Sequence, residues 1–263
     1  MFLDIDGNKV FSLSFGAGPR TLLAHSGWIG NFEDWVATLA PLSATWRTVV
    51  YDHRGAGETQ VPIEKISPEA LVDDVFRVMD ALHIERCVLA GFSRGTATVM
   101  RAVLRAQDRF DGLVLMNGSG DVRIPGTSVP PRIPPSAWPG DTFADHLRWF
   151  AERCLPEADS DHIKRWAANI LSRSSAEVAE KIFTMQPAEP IDWTQRLPEL
   201  KLPVLVIHGE RDAFCSTASM QYIASLLPNS KLFVMEGSGH LPAMVRPSDV
   251  AREIDEFFSG RVA

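Results

Sequence analysis

The chain has 263 residues, of which 45% are hydrophobic and 22% are charged, and its formal net charge is −7. This acidic balance argues against a nucleic-acid partner, which needs a clustered basic face, and no run of about eighteen apolar residues predicts a membrane-spanning helix. The first residues lack the basic start and long apolar stretch of a signal peptide, so we expect a cytoplasmic protein.

Apolar runs alternate with helix patterns through the first 120 residues. Residues 2–15 predict a hairpin that turns at Asp6-Gly7-Asn8. Continuously apolar runs predict buried strands over residues 21–24, 48–51, 86–90 and 112–116. Between them lie helix patterns that start near Asn31 and run over residues 67–82 and 94–107. Strands that are apolar on both faces and alternate with helices predict a parallel sheet covered on both sides.

The alternation is interrupted at residues 121–198. Prolines are dense up to residue 139, and amphipathic helix patterns follow without any strand pattern. We predict a helical insertion over the carboxyl edge of the sheet, so that residues 1–120 and 199–263 form the core of one integrated domain. The alternation resumes with strands over 204–207 and 232–235, a helix over 216–227, and a last helix that Ser248 is expected to cap.

The three cysteines, Cys87, Cys154 and Cys215, are far apart in the sequence and show no zinc-type spacing. We expect reduced thiols, as in a cytosolic protein. Cys215 follows a candidate site residue, but inert packing is the favoured role for it.

A glycine-flanked serine follows the strand at 86–90. The stretch Gly91-Phe92-Ser93-Arg94-Gly95 has the pattern of a nucleophile elbow, a strand-to-helix turn so tight that only small residues fit beside the serine. Such a turn holds the serine in a strained backbone conformation with its hydroxyl exposed. Glycine and serine are common in loops, so the context of this pattern decides its meaning.

Two further polar residues, Asp212 and His240, also follow predicted strands. A serine hydroxyl needs a base to take its proton, and that base needs a third group to orient it. In an open parallel sheet such groups lie just past the carboxyl ends of strands. Ser93, Asp212 and His240 meet this requirement in the chain order Ser, Asp, His, which is typical of one hydrolase architecture. Asp121 follows another strand and is the alternative acid.

With these motifs the chain resembles the α/β-hydrolase fold family over essentially its whole length. The matching segments are His25 with Gly27, Asp52–Gly57, Gly91–Gly95, His208–Asp212 and Gly239-His240. The resemblance implies a mostly parallel eight-stranded sheet flanked by helices, with the insertion at 121–198 as a helical cap. It also implies a small-molecule substrate and a reaction that needs no cofactor and no metal.

The oxyanion hole requires two preorganised N–H donors. One is expected from the backbone of Arg94, at a helix N-terminus. The other should come from the loop after His25, where Ser26 departs from the usual family pattern and leaves Gly27 or Trp28 as the donor, with Trp28 preferred. The Arg94 side chain is also atypical, and it either binds an anionic substrate group or, as we favour, pairs with an acid of the cap.

The apolar and aromatic residues of the cap are mostly expected in the core, yet some of them must line the substrate pocket. The candidates for the pocket are Phe92, Trp138, Phe143, Trp149, Met185 and Leu241.

Other polar residues at strand ends are expected to be structural. His25 and His208 should be structural groups at strand ends. His53 either reaches the pocket or, as we favour, supports the site without contacting the substrate. Asp52 and Arg54 should stabilise their loop through hydrogen bonds and an ion pair.

The sequence therefore favours a serine hydrolase that cleaves a small, fairly apolar ester or lactone through an acyl-enzyme. Carbon–carbon bond hydrolysis and thioester cleavage use the same residues and remain alternatives. So do a receptor-like binding protein with a vestigial triad and a lyase without a covalent intermediate. The oligomeric state is left open.

Overall fold

Eight strands form a single sheet in the computed structural model, which describes residues 1–120, 122–127 and 133–261. The strands are β1 (Phe2–Ile5), β2 (Asn8–Phe15), β3 (Arg20–His25), β4 (Trp46–Tyr51), β5 (Cys87–Phe92), β6 (Phe110–Met116), β7 (Val204–Gly209) and β8 (Ser230–Met235). Their spatial order is β1-β2-β4-β3-β5-β6-β7-β8. Strands β3 to β8 are parallel, and the β1–β2 hairpin joins antiparallel at the β4 edge. The predicted fold class is confirmed.

Helices cover both faces of this sheet. They are α1 (Glu33–Leu42), α2 (Pro68–Ala81), α3 (Gly95–Arg105), α4 (Phe143–Cys154), α5 (Asp161–Leu171), α6 (Ala176–Thr184), α7 (Trp193–Arg196), α8 (Thr217–Leu226), α9 (Pro242–Val245) and α10 (Pro247–Phe258). Successive strand residues enter different cores: Leu23 and Leu89 pack with α2, α3 and α8, whereas Leu22 and Val88 pack with α1 and α10. This alternation follows from the period of two along a strand, and it explains why the strands are apolar on both faces.

The starts of two helices, α2 and α10, show how serine and proline residues place a helix N-terminus. The Ser67 hydroxyl accepts a hydrogen bond from the Ala70 N–H, and Pro68 follows at the first helical position. Ser248 does not cap the last helix. That helix begins at Pro247, whose fixed φ suits the first turn, so Ser248 already lies inside it.

Four helices, α4 to α7, lie in the insertion between β6 and β7. Part of the insertion forms an apolar cluster with the loop after β3, in which Leu147, Ala179 and Ile182 pack with Trp28 and Ile29. No helix among the described residues is both long and apolar enough to cross a bilayer. Asp121, the alternative acid, lies outside the described residues.

Candidate active site

The elbow between β5 and α3 holds Ser93 in the left-handed region, with φ +52°. Its N–H donates to the Met116 carbonyl oxygen at 2.8 Å, which ties the turn to β6. A Cβ on Gly91 would collide with the Val99 side chain, and a Cβ on Gly95 would collide with the Ser26 carbonyl oxygen. The close approach of these elements therefore requires both glycines, as the motif predicts.

Ser93, His240 and Asp212 form a continuous hydrogen-bonded chain. His240 Nε2 lies 2.8 Å from Ser93 Oγ, and His240 Nδ1 lies 2.8 Å from Asp212 Oδ2. The second carboxylate oxygen, Oδ1, accepts hydrogen bonds from the N–H groups of Phe214 at 2.7 Å and Cys215 at 3.1 Å. Both Asp212 and His240 are buried. This arrangement can move a proton away from the serine hydroxyl.

The loop after β3 runs directly alongside the elbow. A Cβ on Gly27 would lie 2.9 Å from the Ser93 Cβ, which is closer than side chains pack. The Gly27 carbonyl oxygen lies 3.1 Å from His53 Nε2 and accepts a hydrogen bond from the Gly30 N–H at 3.2 Å. In a trans peptide the N–H points opposite to the carbonyl, so fixing the Gly27 carbonyl also fixes the direction of the Trp28 N–H.

A small cavity of about 30 Å³ opens between the elbow and the insertion. Its lining comprises Gly27, Trp28, Gly30, Asp34, Phe92, Ser93, Phe150, Ala151, Cys154, Ala167, Leu171, His240 and Leu241. Phe92 and Leu241 are thus among the pocket residues that the sequence suggests. The other four suggested residues, Trp138, Phe143, Trp149 and Met185, do not line this cavity.

Those four residues pack outside the cavity, in the apolar cluster that the insertion forms with Trp28 and Ile29. Trp138 stacks on Phe150 with ring centroids 5.2 Å apart and contacts Trp149 at 5.3 Å. On the side of the insertion, the walls of the cavity come instead from one face of α4 and one face of α5. Phe150 with Cys154, and Ala167 with Leu171, are each four residues apart, so a helical periodicity is the only sequence signal that groups them.

Asp34 is the one acidic residue in this lining, and no motif or strand-end position selects it from the sequence. It lies in the first turn of α1, and 7% of its surface is exposed. Its Oδ2 atom has no hydrogen-bond partner among the described residues. Burial raises the pKa of this carboxyl to about 7, although a hydrogen bond with the Ser26 side chain opposes that rise.

The three other histidines at strand ends are buried and neutral. His25 Nδ1 lies 2.8 Å from the Tyr51 hydroxyl. Burial lowers the pKa of His25, of His53 and of His208. His53 contacts the Gly27 carbonyl oxygen and does not line the cavity, which fits the supporting role that was expected for it.

The loop after β4 is held as expected. Asp52 accepts hydrogen bonds from the backbone N–H groups of Phe32 at 2.7 Å and Glu58 at 2.8 Å. Arg54 makes a bidentate, buried ion pair with Asp74, with N–O distances of 2.5 and 2.8 Å. These side chains fix the loop beside the site and do not line the cavity.

The Arg94 side chain connects the elbow to the insertion. Its Nη2 donates to the Met185 carbonyl oxygen at 2.8 Å, just beyond the end of α6. The favoured expectation was a pairing with an acid of the cap, whereas this hydrogen bond goes to a backbone carbonyl of the insertion. Binding of an anionic substrate group by Arg94 stays a prediction.

The cysteines are free and buried. Burial raises the pKa of the Cys215 thiol to about 12 and that of Cys154 well above its ordinary value. Both are therefore protonated near neutral pH, and inert packing fits Cys215. Within the described residues, no group of three His, Cys, Asp or Glu side chains could hold a metal ion.

Known proteins are similar to this chain over most of its length. A family model described as the alpha/beta hydrolase fold matches residues 20–247. The chain is 25% identical to 3-oxoadipate enol-lactonase 2 of Acinetobacter baylyi over 248 residues, which cover 89% of this chain and 87% of that protein. Among solved structures, a bromoperoxidase from Bacillus anthracis superposes with a TM-score of 0.83 at 19% identity, covering 98% of this chain and 99% of the other.

One relative is much longer. The chain is 28% identical over 244 residues to the polyketide synthase ThaQ of Burkholderia thailandensis, and the match covers 89% of this chain. It spans 11% of the length of that synthase.

Proposed function

The chain belongs to the α/β-hydrolase fold family, and from that premise we propose that it is a serine hydrolase cleaving a small, fairly apolar ester or lactone. The observation that carries the proposal is the hydrogen-bonded chain from Ser93 Oγ through His240 to Asp212. Such a chain activates a hydroxyl that is otherwise a weak nucleophile. We further propose that the enzyme needs no cofactor and works in the cytoplasm. The three free thiols support the cytoplasmic location.

In the first half of the reaction, Ser93 Oγ attacks the carbonyl carbon of the substrate while His240 Nε2 takes the hydroxyl proton. The buried Asp212 carboxylate stabilises the imidazolium that forms and holds the ring in the required tautomer. His240 then gives the proton to the leaving alkoxide, so the carbon–oxygen bond of the ester breaks and an acyl-enzyme remains. Water attacks this ester with His240 as the base, and the acid and free Ser93 are released.

The tetrahedral intermediate carries a negative oxygen that needs two N–H donors. We assign the backbone N–H groups of Trp28 and Arg94 to this role. The Arg94 N–H lies next to Ser93 at the start of α3, where the helix dipole favours an anion. Trp28 is preferred over Gly27 because the carbonyl of its own peptide is held on the opposite side, next to His53.

The cavity supports a small acyl group. The cavity is small, with a volume of about 30 Å³, and most of its walls are apolar. Lactone cleavage is included because the relative from Acinetobacter is an enol-lactonase that aligns with 89% of this chain. Carbon–carbon bond and thioester cleavage would use the same three side chains, so only a substrate comparison separates them.

The test is Ser93→Ala assayed on short-chain aryl esters, lactones and thioesters. We expect kcat to fall by about 10⁴-fold or more, because the acyl-enzyme no longer forms, and a phosphonylating reagent should label Ser93 in the wild type only. Ser174→Ala is the matched control, because that buried serine donates to the Gly55 carbonyl oxygen outside the cavity. A Ser93→Ala variant with the wild-type rate would rule out this mechanism.

A further inference from the structure

The cavity contains a carboxyl group for which the proposed mechanism has no use. Asp34 lines the same cavity as Ser93 and His240, is 7% exposed, and has one oxygen without a hydrogen-bond partner among the described residues. A buried polar atom without a partner destabilises the fold. Such an atom next to a nucleophile therefore points to a ligand that completes it.

In the first turn of α1, a hydrogen bond with the Ser26 side chain is the one contact given for the Asp34 carboxyl, and it leaves Oδ2 without a partner among the described residues. The N–H groups that begin this helix are bonded elsewhere: that of Glu33 donates to Asn31 Oδ1 at 2.9 Å, and that of Phe32 donates to Asp52 Oδ1 at 2.7 Å. The neighbouring carboxylate, Glu33, accepts from Trp166 Nε1 at 2.7 Å and pairs with Arg173, which holds α5 against the core. Asp34 takes no part in these contacts.

Among the described residues, the charged groups that act on Asp34 include no cation. The charged groups that act on it are the carboxylates of Asp52 and Glu33, which raise its pKa further. Gly30 leaves room for it, since a Cβ at that position would collide with Asp34 Oδ2. The remaining walls near it are apolar side chains of α4 and α5, such as Ala151, Ala167 and Leu171.

We propose that Asp34 determines the substrate specificity of this site by hydrogen bonding a hydroxyl group on the acyl part of the substrate. A hydroxyl fits because it can donate to the carboxylate or accept from the carboxylic acid. The preferred substrate class is then a hydroxyacyl ester, or a lactone whose acyl chain carries a further hydroxyl. This inference rests on the proposed function of Ser93.

The test compares pairs of phenyl esters that differ only by a methyl group replaced with a hydroxyl. The pairs are butanoate with 3-hydroxypropanoate, and propanoate with glycolate. In the wild type we expect kcat/KM to favour the hydroxylated member of at least one pair by about tenfold or more, because the apolar member leaves Asp34 unpaired.

Three variants locate this preference. Asp34→Leu should invert the ratio of the two kcat/KM values, and Asp34→Asn should retain part of it, because an amide still bonds a hydroxyl. Asp161→Asn is the control, because that exposed carboxyl pairs with Lys164 outside the cavity, and it should keep the wild-type ratio. Circular dichroism of each variant verifies that it is folded.

The outcomes separate this inference from the proposed function. Equal kcat/KM values within both pairs, unchanged in Asp34→Leu, would overturn the role of Asp34 while ester cleavage stands. Stronger preference for 3-aminopropanoate phenyl ester would overturn the hydroxyl assignment. If no ester is cleaved, the proposed function fails. The role of Asp34 is then tested by calorimetry, with the same esters binding to Ser93→Ala. Adding Asp34→Leu to that variant must weaken the binding of the hydroxylated esters only.

Discussion

At the scale of single residues, Asp212 is held on both of its carboxylate oxygens. Oδ1 accepts from two backbone N–H groups while Oδ2 faces His240 Nδ1. In Asp212→Asn the amide oxygen must stay with the two N–H donors, so its NH₂ group faces His240 and forces the wrong tautomer on the ring. We expect kcat for ester cleavage to fall by about 10⁴-fold.

A measurement of thermal stability is the control that Asp212→Asn is still folded. Thermal unfolding of Asp212→Asn should remain close to that of the wild type, because the amide keeps both hydrogen bonds to the backbone. A variant with near wild-type kcat would show that His240 does not depend on Asp212 for its orientation.

Asp34 should also make stability depend on pH. Its pKa is about 7 in the folded protein against an ordinary value of 3.8, so the folded state binds the proton more tightly. The wild type therefore loses stability as pH rises from about 4 to about 7. Asparagine does not ionise. The free energy of unfolding of Asp34→Asn should therefore rise relative to that of the wild type over this range, by up to roughly 4 kcal/mol.

Urea unfolding at pH 4, 6 and 8 measures this difference. Asp145→Asn is the comparison, because hydrogen bonds with Thr142 lower the pKa of the Asp145 carboxyl, so its removal gives no gain at high pH. A constant difference between Asp34→Asn and the wild type across these pH values would contradict the buried, uncharged state of Asp34. The titratable groups around Asp34 are Glu33, Asp52, Cys154 and His240.

At the scale of elements, the elbow and α3 are tied to the insertion by two arginines. Arg94 donates to the Met185 carbonyl oxygen at 2.8 Å beside the site, and Arg101 donates to the Glu189 carbonyl oxygen at 3.3 Å on the exposed surface. Only the first bond holds the end of α6. Arg94→Met should therefore speed amide hydrogen exchange over residues 181–187, whereas Arg101→Met should not.

The same pair of variants tests the charge hypothesis for Arg94. If its side chain also binds an anionic substrate group, Arg94→Met will lose activity selectively on esters with an acidic acyl chain, and Arg101→Met will not. Uniform loss on neutral and acidic esters would leave Arg94 with a purely structural role.

Elements were predictable from the sequence where one property decides them. Continuous apolar runs located β3 to β8 within two residues of their observed ends. The true strands are longer, because residues such as Trp46 and His208 join the ladder through their backbones, whatever their side chains. Ser248 was misplaced because both serine and proline favour a helix start, and Pro247 defines this one.

The site was predictable to a different depth. Ser93, Asp212 and His240 could be found because motif and strand order bring them to one sheet edge. The cavity walls could not, since they depend on which faces of α4 and α5 turn inward. Large aromatic residues such as Trp138 were the natural candidates, yet small residues such as Ala151 and Ala167 form much of the lining.

At the scale of the whole molecule, one buried ion pair joins the loop after β4 to α2. The side chains of Arg54 and Asp74 are 7% and 1% exposed. Arg54→Met leaves the Asp74 carboxyl buried with Arg77 as its remaining ion-pair partner, 3.8 Å away, and should lower the free energy of unfolding by about 3 kcal/mol. Urea denaturation measures this value.

An exposed ion pair provides the comparison. Arg86, whose side chain is 54% exposed, pairs with Asp111 at 2.7 Å. Arg86→Met should cost about 1 kcal/mol or less, because water screens the pair. Equal losses in the two variants would mean that burial does not set the contribution of Arg54.

Trp28 belongs both to the proposed oxyanion hole and to the packing of the insertion. Its indole Nε1 donates to the Ala179 carbonyl oxygen of α6 at 2.8 Å, and its ring contacts Trp138, Phe150 and Phe183 of the insertion. Its backbone N–H is the proposed oxyanion donor. Because one residue carries both sets of contacts, the position of the proposed oxyanion donor depends on how the insertion packs against it.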